Sequence, residues 1–209
     1  VSTASRPRAR KGEGDRLRDE ILDATQALLA EEGSAAAVSI RAVARRVGVT
    51  PPSIYLHFAD KDDLMFQCCR RGFEALEARM RDASAGVADP AERLRRMGRA
   101  YVEFGVANGE QYRVIFDADP ASSTHLAAGE DLPGVRAFEL LVETVAEGAA
   151  AGVLRDDLEP AAIAVAVWSA VHGAVLILLA GHGEALPIPG RDALIGAVLG
   201  VVEAGIVAA

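Results

Sequence analysis

Residues 50–61 read TPPSIYLHFADK and gather two hydroxyls (Thr50, Ser53), a phenol (Tyr55), an imidazole (His57) and an ammonium (Lys61). Each of these groups can bond a phosphate oxygen, and an apolar ring such as that of Pro51 can touch a thymine methyl. The chemistry on offer is recognition of a nucleic acid. It makes and breaks no bond.

Bond-making chemistry finds less support elsewhere. His125 lies near Asp117 and Asp119, and Ser122–Ser123 are the nearest candidate nucleophiles. The chain has no Gly-x-Ser-x-Gly elbow, no phosphate loop and no His-Glu-x-x-His helix. His182 stands alone in a Gly-His-Gly turn, and four scattered histidines lack the short, regular spacings of metal ligands. No catalytic residue, metal or cofactor is assigned, and an enzyme is not expected.

The 209 residues are 51% hydrophobic and 25% charged, which suits one large domain or a small domain joined to a larger one. The net charge of −8 is uneven: residues 1–61 are net +2 and the remainder −10. Arg6, Arg8, Arg10 and Lys11 make a basic opening arm, over residues 1–14, that reads either as a solvated tail or as an auxiliary DNA contact. Cys68 and Cys69 are adjacent with no second pair, so both read as reduced thiols, at least one in the core; a redox pair is the competing reading. With no apolar signal peptide at the start, a reducing cytoplasm fits best.

The elements that must position these groups are all helical. A first helix is expected from about Asp15 into Glu32, with Ile21, Leu22, Thr25, Leu28 and Leu29 on one face and Gly33 ending it. Ser39 then caps a short helix carrying Ile40, Val43, Ala44 and Val47, and Gly48 supplies a sharp turn. Thr50 is the next N-cap. Pro51 and Pro52 occupy the first helical positions, where the backbone N–H has no partner in any case, so they start a helix here. A longer helix runs from about Asp60 to Ser84–Gly86. Asp89-Pro90-Ala91-Glu92 reads as a capping box for another, which carries Leu94, Met97, Tyr101 and Phe104. After the break at Asn108–Gly109 come a short helix, a loop from Asp117 to Gly134, and helices at about Val135–Ala151, Pro160–Ala180 and Arg191–Val207. The fold class is all-α: a three-helix helix-turn-helix domain at residues 15–60, then a larger helical bundle at 61–209 for ligand binding and dimerisation.

Two short helices joined by Gly48-Val49 behind a longer one have the dimensions of a helix-turn-helix. Val43, Ala44, Val49, Ile54 and Phe58 suit its inner face, which leaves Thr50, Pro51, Ser53, Tyr55 and His57 nearer the outside. The run IRAVARRVGVTPPSIYLHFADKDDL, preceded by ILDATQALLAEEG, resembles the DNA-binding domain of the TetR family of bacterial transcriptional regulators. Its double proline departs from the commoner small or Gly-containing pattern. The resemblance implies that Tyr55 and His57 contact the DNA backbone, that Thr50, Pro51, Pro52 and Ser53 approach bases, and that Lys61 holds a phosphate. Ser39 and Arg41 complete the candidate DNA-binding set. A local cap or packing against the helix of Lys61 is the competing role for His57, and partial burial for Tyr55.

The C-terminal half is less specific. Ala161–Ala180 contains no Asp, Glu, Lys or Arg and is long enough to cross a bilayer. It lacks an aromatic belt, its flanks are mainly acidic, and Asp192 and Glu203 interrupt the next apolar helix, so no membrane partner is expected. A buried oligomer interface has the same composition. Trp168 and His172 share a helical face, and Trp-x-x-x-His-Gly resembles a TetR subgroup with a Trp-His-Gly signature in its ligand domain. Tyr101, Phe104, Tyr112, Phe116, Trp168 and His172 are the candidate lining of a largely apolar effector pocket, with core packing as the alternative. Gly173 is read as permitting close helix approach. The small residues of the last two helices, Gly196, Gly200 and Gly205 among them, imply with the resemblance a homodimer that pairs those helices.

The resulting expectation is a ligand-responsive regulator, a repressor bound to a palindromic operator in double-stranded DNA and released by a small-molecule effector. The alternative is a small-molecule-binding helical protein or enzyme that does not use its helix-turn-helix for specific DNA binding.

Overall fold

The computed structural model describes residues 13–117, 132, 134–181 and 190–208. Arg6, Arg8, Arg10 and Lys11, the Ser122–Ser123 and His125 segment, and His182 lie outside the described residues. The described chain forms α1 (Glu13–Glu32), α2 (Ile40–Val47), α3 (Pro51–Ile54), α4 (Lys61–Ser84), α5 (Pro90–Ala107), α6 (Gly109–Asp117), α7 (Val135–Ala150), α8 (Pro160–Leu179) and α9 (Arg191–Ile206). The all-α expectation holds. α1 begins slightly earlier than expected, so Glu13 and Gly14 belong to the helix and not to the arm.

Among the described residues, those of Val1–Gly72 form one compact unit with those of Glu110–Pro133, and Phe73–Gly109 forms another with those of Gly134–Ala209. The sequence boundary at residues 60–61 marks where α4 starts; the change of compact unit falls inside that helix.

In the first unit, the apolar stripe of α1 (Ile21, Leu22, Leu28, Leu29) is buried with Val43, Ala44, Ile54, Phe58 and Leu64. Thr25 is buried in the same stripe because its hydroxyl donates to the Ile21 carbonyl at 2.7 Å, so no polar group is left unpaired. The guanidinium of Arg18 stacks 5.2 Å from the centre of the Phe58 ring and donates to Gln67 at 3.0 Å. Arg46 of α2 binds both carboxylate oxygens of Glu31 at 2.7 and 2.8 Å, which fixes α2 against the end of α1.

In the second unit, α5 packs against α7, α8 and α9. A Cβ built on Gly98 of α5 would stand 2.6 Å from Leu199 Cδ2 and 3.3 Å from Val171 Cγ1, so the absent side chain is what lets α8 and α9 close on α5. Asp89 caps α5 by accepting the Ala91 N–H at 3.1 Å. Glu92, expected to complete a capping box, takes Arg95 and Arg96 at 2.7 Å each, and these two guanidiniums hold its carboxyl below the usual range. The end of α9 is pinned where Arg155 donates its N–H to Ile206 at 2.8 Å and Ala208 donates to Val153 at 3.0 Å.

α8 is the one helix among the described residues that is long and apolar enough to cross a membrane. One face, with Ile163, Val167, Val171 and Val175, is buried in the second unit, while Val165 and Leu176 remain exposed. Gly173 corrects the expectation of close helix approach. A Cβ on it would meet nothing within 4 Å, and the same is true of Gly196, Gly200 and Gly205 on α9. Among the described residues, nothing stands within 4 Å of a Cβ added at these small positions.

Candidate functional site

The recognition segment is built by its caps. Ser39 Oγ accepts the Ala42 N–H at 3.2 Å to start α2. Gly48 ends α2 at a φ of +78°, a left-handed value costly for any residue with a Cβ, and the Val49 N–H returns to the Ala44 carbonyl at 2.9 Å. This turn aims the chain into Thr50, which precedes α3 in extended conformation, and Pro51 and Pro52 follow at its first two positions. The Thr50 hydroxyl meets the Ser53 hydroxyl at 3.0 Å, so the two form a paired hydrogen-bonding edge.

Ile54 and Phe58 are buried and anchor the segment from within. Thr50, Pro52 and Tyr55 are exposed, and Pro51 and Ser53 half-buried. Tyr55 is 53% exposed, so the partly buried reading does not describe it. His57 is half-buried, its ring edge 3.9 Å from where a Cβ on Gly14 of α1 would stand. Part of its ring therefore packs on α1, whereas the competing reading has it cap locally or pack on the helix of Lys61. Lys61 opens α4 and donates to the Ala36 carbonyl at 3.3 Å, a neutral acceptor that leaves its charge uncompensated there. Arg41 is exposed on the first turn of α2. Sequence reasoning passed over Leu56, which is 83% exposed between Tyr55 and His57. Its signal was alternation: it follows a residue pair in which the apolar member, Ile54, already faces inward.

Of the six residues expected around an effector, three are joined by hydrogen bonds. Tyr101 and Trp168 and His172 do come together in the second unit. The indole N–H of Trp168 donates to the Tyr101 hydroxyl at 3.0 Å, and that hydroxyl lies 3.1 Å from His172 Nδ1. The indole can only donate, so the phenol oxygen accepts there, and the direction of the second bond is set by the His172 tautomer. Burial pushes the His172 pKa below the ordinary value. The Trp168 ring sits 5.7 Å from His172 and 6.2 Å from Phe138, centre to centre. Phe104 lies instead on a groove of about 490 Å³ between Ala75, Ala78 and Arg79 of α4 and Glu103 and Asn108 of α5. Tyr112 and Phe116 belong to the first unit, where their rings are 4.6 Å apart and Tyr112 is fully buried.

Cys68 and Cys69 are both buried, with thiol pKa values pushed up to about 12 and about 11, chiefly by burial. Neither offers a thiolate near neutral pH, which removes the basis for a redox pair. Among the described residues no group of three or more His, Cys, Asp or Glu is arranged to hold a metal ion.

Two family models match the chain. One, for bacterial regulatory proteins of the tetR family, covers residues 21–68, and one for the tetracyclin repressor-like C-terminal domain covers residues 94–201. The chain belongs to the TetR family. As a family member it is a ligand-responsive, DNA-binding transcriptional regulator, with the helix-turn-helix of α2 and α3 inside the first match. The HTH-type transcriptional repressor KstR2 of Mycobacterium tuberculosis is 28% identical over 152 residues, covering 71% of this chain and 74% of that protein. The HTH-type transcriptional activator FasR of Mycolicibacterium smegmatis is 30% identical over 114 residues, 54% of this chain; the alignment spans about half of that relative, 52%. A solved structure of a protein of unknown function from Rhodococcus sp. RHA1 superposes with a TM-score of 0.78 at 24% identity, over 91% of this chain and 95% of its own. It shares the fold.

Proposed function

We propose that this TetR-family protein is a cytoplasmic homodimeric repressor that binds a palindromic operator and leaves it when a small, largely apolar molecule binds. The observation that carries this reading is the recognition segment itself. Thr50, Ser53 and Tyr55 turn hydrogen-bonding groups outward while Ile54 and Phe58 hold the backbone from inside. Two such segments related by a twofold axis would enter successive major grooves and impose two half-sites about one helical turn apart. Tyr55, His57 and Lys61 supply phosphate contacts, Thr50 to Ser53 approach base edges, and Ser39 and Arg41 flank them. The arm of Arg6, Arg8, Arg10 and Lys11 adds salt-dependent attraction.

The dimer would form through α8 and α9. Support comes from the small positions where an added Cβ meets nothing among the described residues and from Val165, Leu176 and Val201, exposed on the same two helices. An apolar face of this kind is costly in water and is relieved by a second copy. For the effector, the apolar groove beside Phe104 and the Tyr101–Trp168–His172 cluster are the candidate contacts. α4 contributes residues to both compact units and is the element through which a ligand would act, provided the ligand binds the two states with different affinity.

The test is fluorescence anisotropy of the full chain with DNA from upstream of its own gene, against a scrambled duplex, at low and near-physiological salt. Selective binding that survives the higher salt supports the proposal. Equal, weak binding to both duplexes, lost as salt rises, leaves only electrostatic attraction.

A further inference from the structure

Leu56 is the most exposed large apolar side chain among the described residues. Its neighbours each have a use: Ile54 and Phe58 fill the core of the first unit, and Tyr55 and His57 present polar tips. Leu56 does neither. The turn it occupies closes through the backbone alone, with the N–H groups of His57 and Phe58 both donating to the Ile54 carbonyl at 3.0 and 3.1 Å. Alanine or serine would close that turn equally well. A single exposed apolar residue is unremarkable on an ordinary surface; this one lies within the DNA-recognition segment.

Pro52, also exposed, lies four positions earlier in α3. The exposed Tyr55 directly precedes Leu56 in the chain, Ser53 directly follows Pro52, and the Ser53 hydroxyl pairs with that of Thr50. The segment therefore combines exposed apolar side chains with hydrogen-bonding groups. Charged phosphates do not match the apolar part. The floor of the major groove does, since a thymine presents its 5-methyl group beside the O4 acceptor.

We propose that Leu56 reads a thymine 5-methyl group in each half-site and so sets base preference at that position. This rests on the reading that the helix-turn-helix binds specific DNA. The exposed apolar side chains lie within that recognition segment, which is why DNA is the occupant rather than another protein.

The experiment uses the full chain to select duplexes from a random-sequence pool. Each thymine of the selected duplex is then replaced in turn by deoxyuridine, which lacks only the methyl. In each half-site one replacement should weaken binding about fourfold, the equivalent of one methyl taken out of water. Leu56→Ala should weaken binding to the thymine duplex by a similar factor and lose nothing more on the deoxyuridine duplex. Its thermal midpoint and the salt dependence of binding should match the wild type, because the side chain supports neither the core nor a phosphate contact. The proposal is overturned if no thymine matters, or if Leu56→Ala retains the full discrimination between thymine and deoxyuridine. Loss of the dimer or of thermal stability with discrimination intact also overturns it, and shows the leucine to be covered by protein. Failure to recover any preferred duplex is a different result: it removes the operator reading, and the proposal with it.

Discussion

The two compact units treat polar side chains in opposite ways. In the first, Thr50, Ser53 and Tyr55 stay at the surface, and Ile54 and Phe58 hold them there from below. In the second, Tyr101, Trp168 and His172 bond one another, so that the hydroxyl of the buried Tyr101 links an indole to an imidazole. The first leaves its polar groups at or near the surface, two of them paired with each other, and the second joins its polar groups to one another across two helices. Substitutions in the first should change binding at constant stability, and those in the second should change stability first.

The largest expected effect tests the packing of the second unit. Gly98→Val places new methyls where a Cβ alone would already come within 2.6 Å of Leu199 Cδ2. Urea denaturation should show a loss of about 3 kcal/mol, the upper end for an overfilled core. An unchanged midpoint would mean that α8 and α9 do not close on α5 at this point. Tyr101→Phe comes next. It takes the acceptor from the Trp168 N–H and the hydrogen-bond partner from His172 Nδ1, and should cost about 1–2 kcal/mol in the same assay. If stability held and only ligand response changed, the cluster would be a binding site with no structural share.

The smallest effect is a pH dependence. His172 has a folded pKa below its ordinary 6.5, so the folded state favours the neutral ring. Its contribution is fully present above pH 6.5 and is lost as pH falls through the lower folded value. The stability of the wild type relative to His172→Asn should therefore decline on acidification below pH 6.5. A difference that stays flat would place the ring in water.

How much of this was legible differs between the units for the same reason. The helix-turn-helix is specified locally: Ser39, Gly48 and the two prolines each set their own backbone, while Thr50 makes no side-chain cap bond, and the resulting helices begin and end close to where the sequence placed them. The direction of Tyr55 followed from that. The candidate effector contacts depend on tertiary packing, which periodicity does not encode. Trp168 and His172 could be placed on one face by their spacing, but not their shared partner Tyr101, in another helix. Tyr112 and Phe116 share the aromatic character of that cluster and fold into the first unit. Gly173 was legible as a position of close approach, but not that nothing among the described residues comes within 4 Å of a Cβ on it.

One paired titration tests the central claim most directly. Wild type and Tyr55→Ala are titrated with DNA from upstream of the gene, and thermal unfolding is recorded on the same two samples. The account predicts about tenfold weaker binding for the variant, the loss of one hydrogen bond to a charged phosphate, at an unchanged thermal midpoint. Unchanged DNA binding with a lowered midpoint would contradict it, and would make the outward-facing tyrosine part of the fold rather than part of the recognition surface.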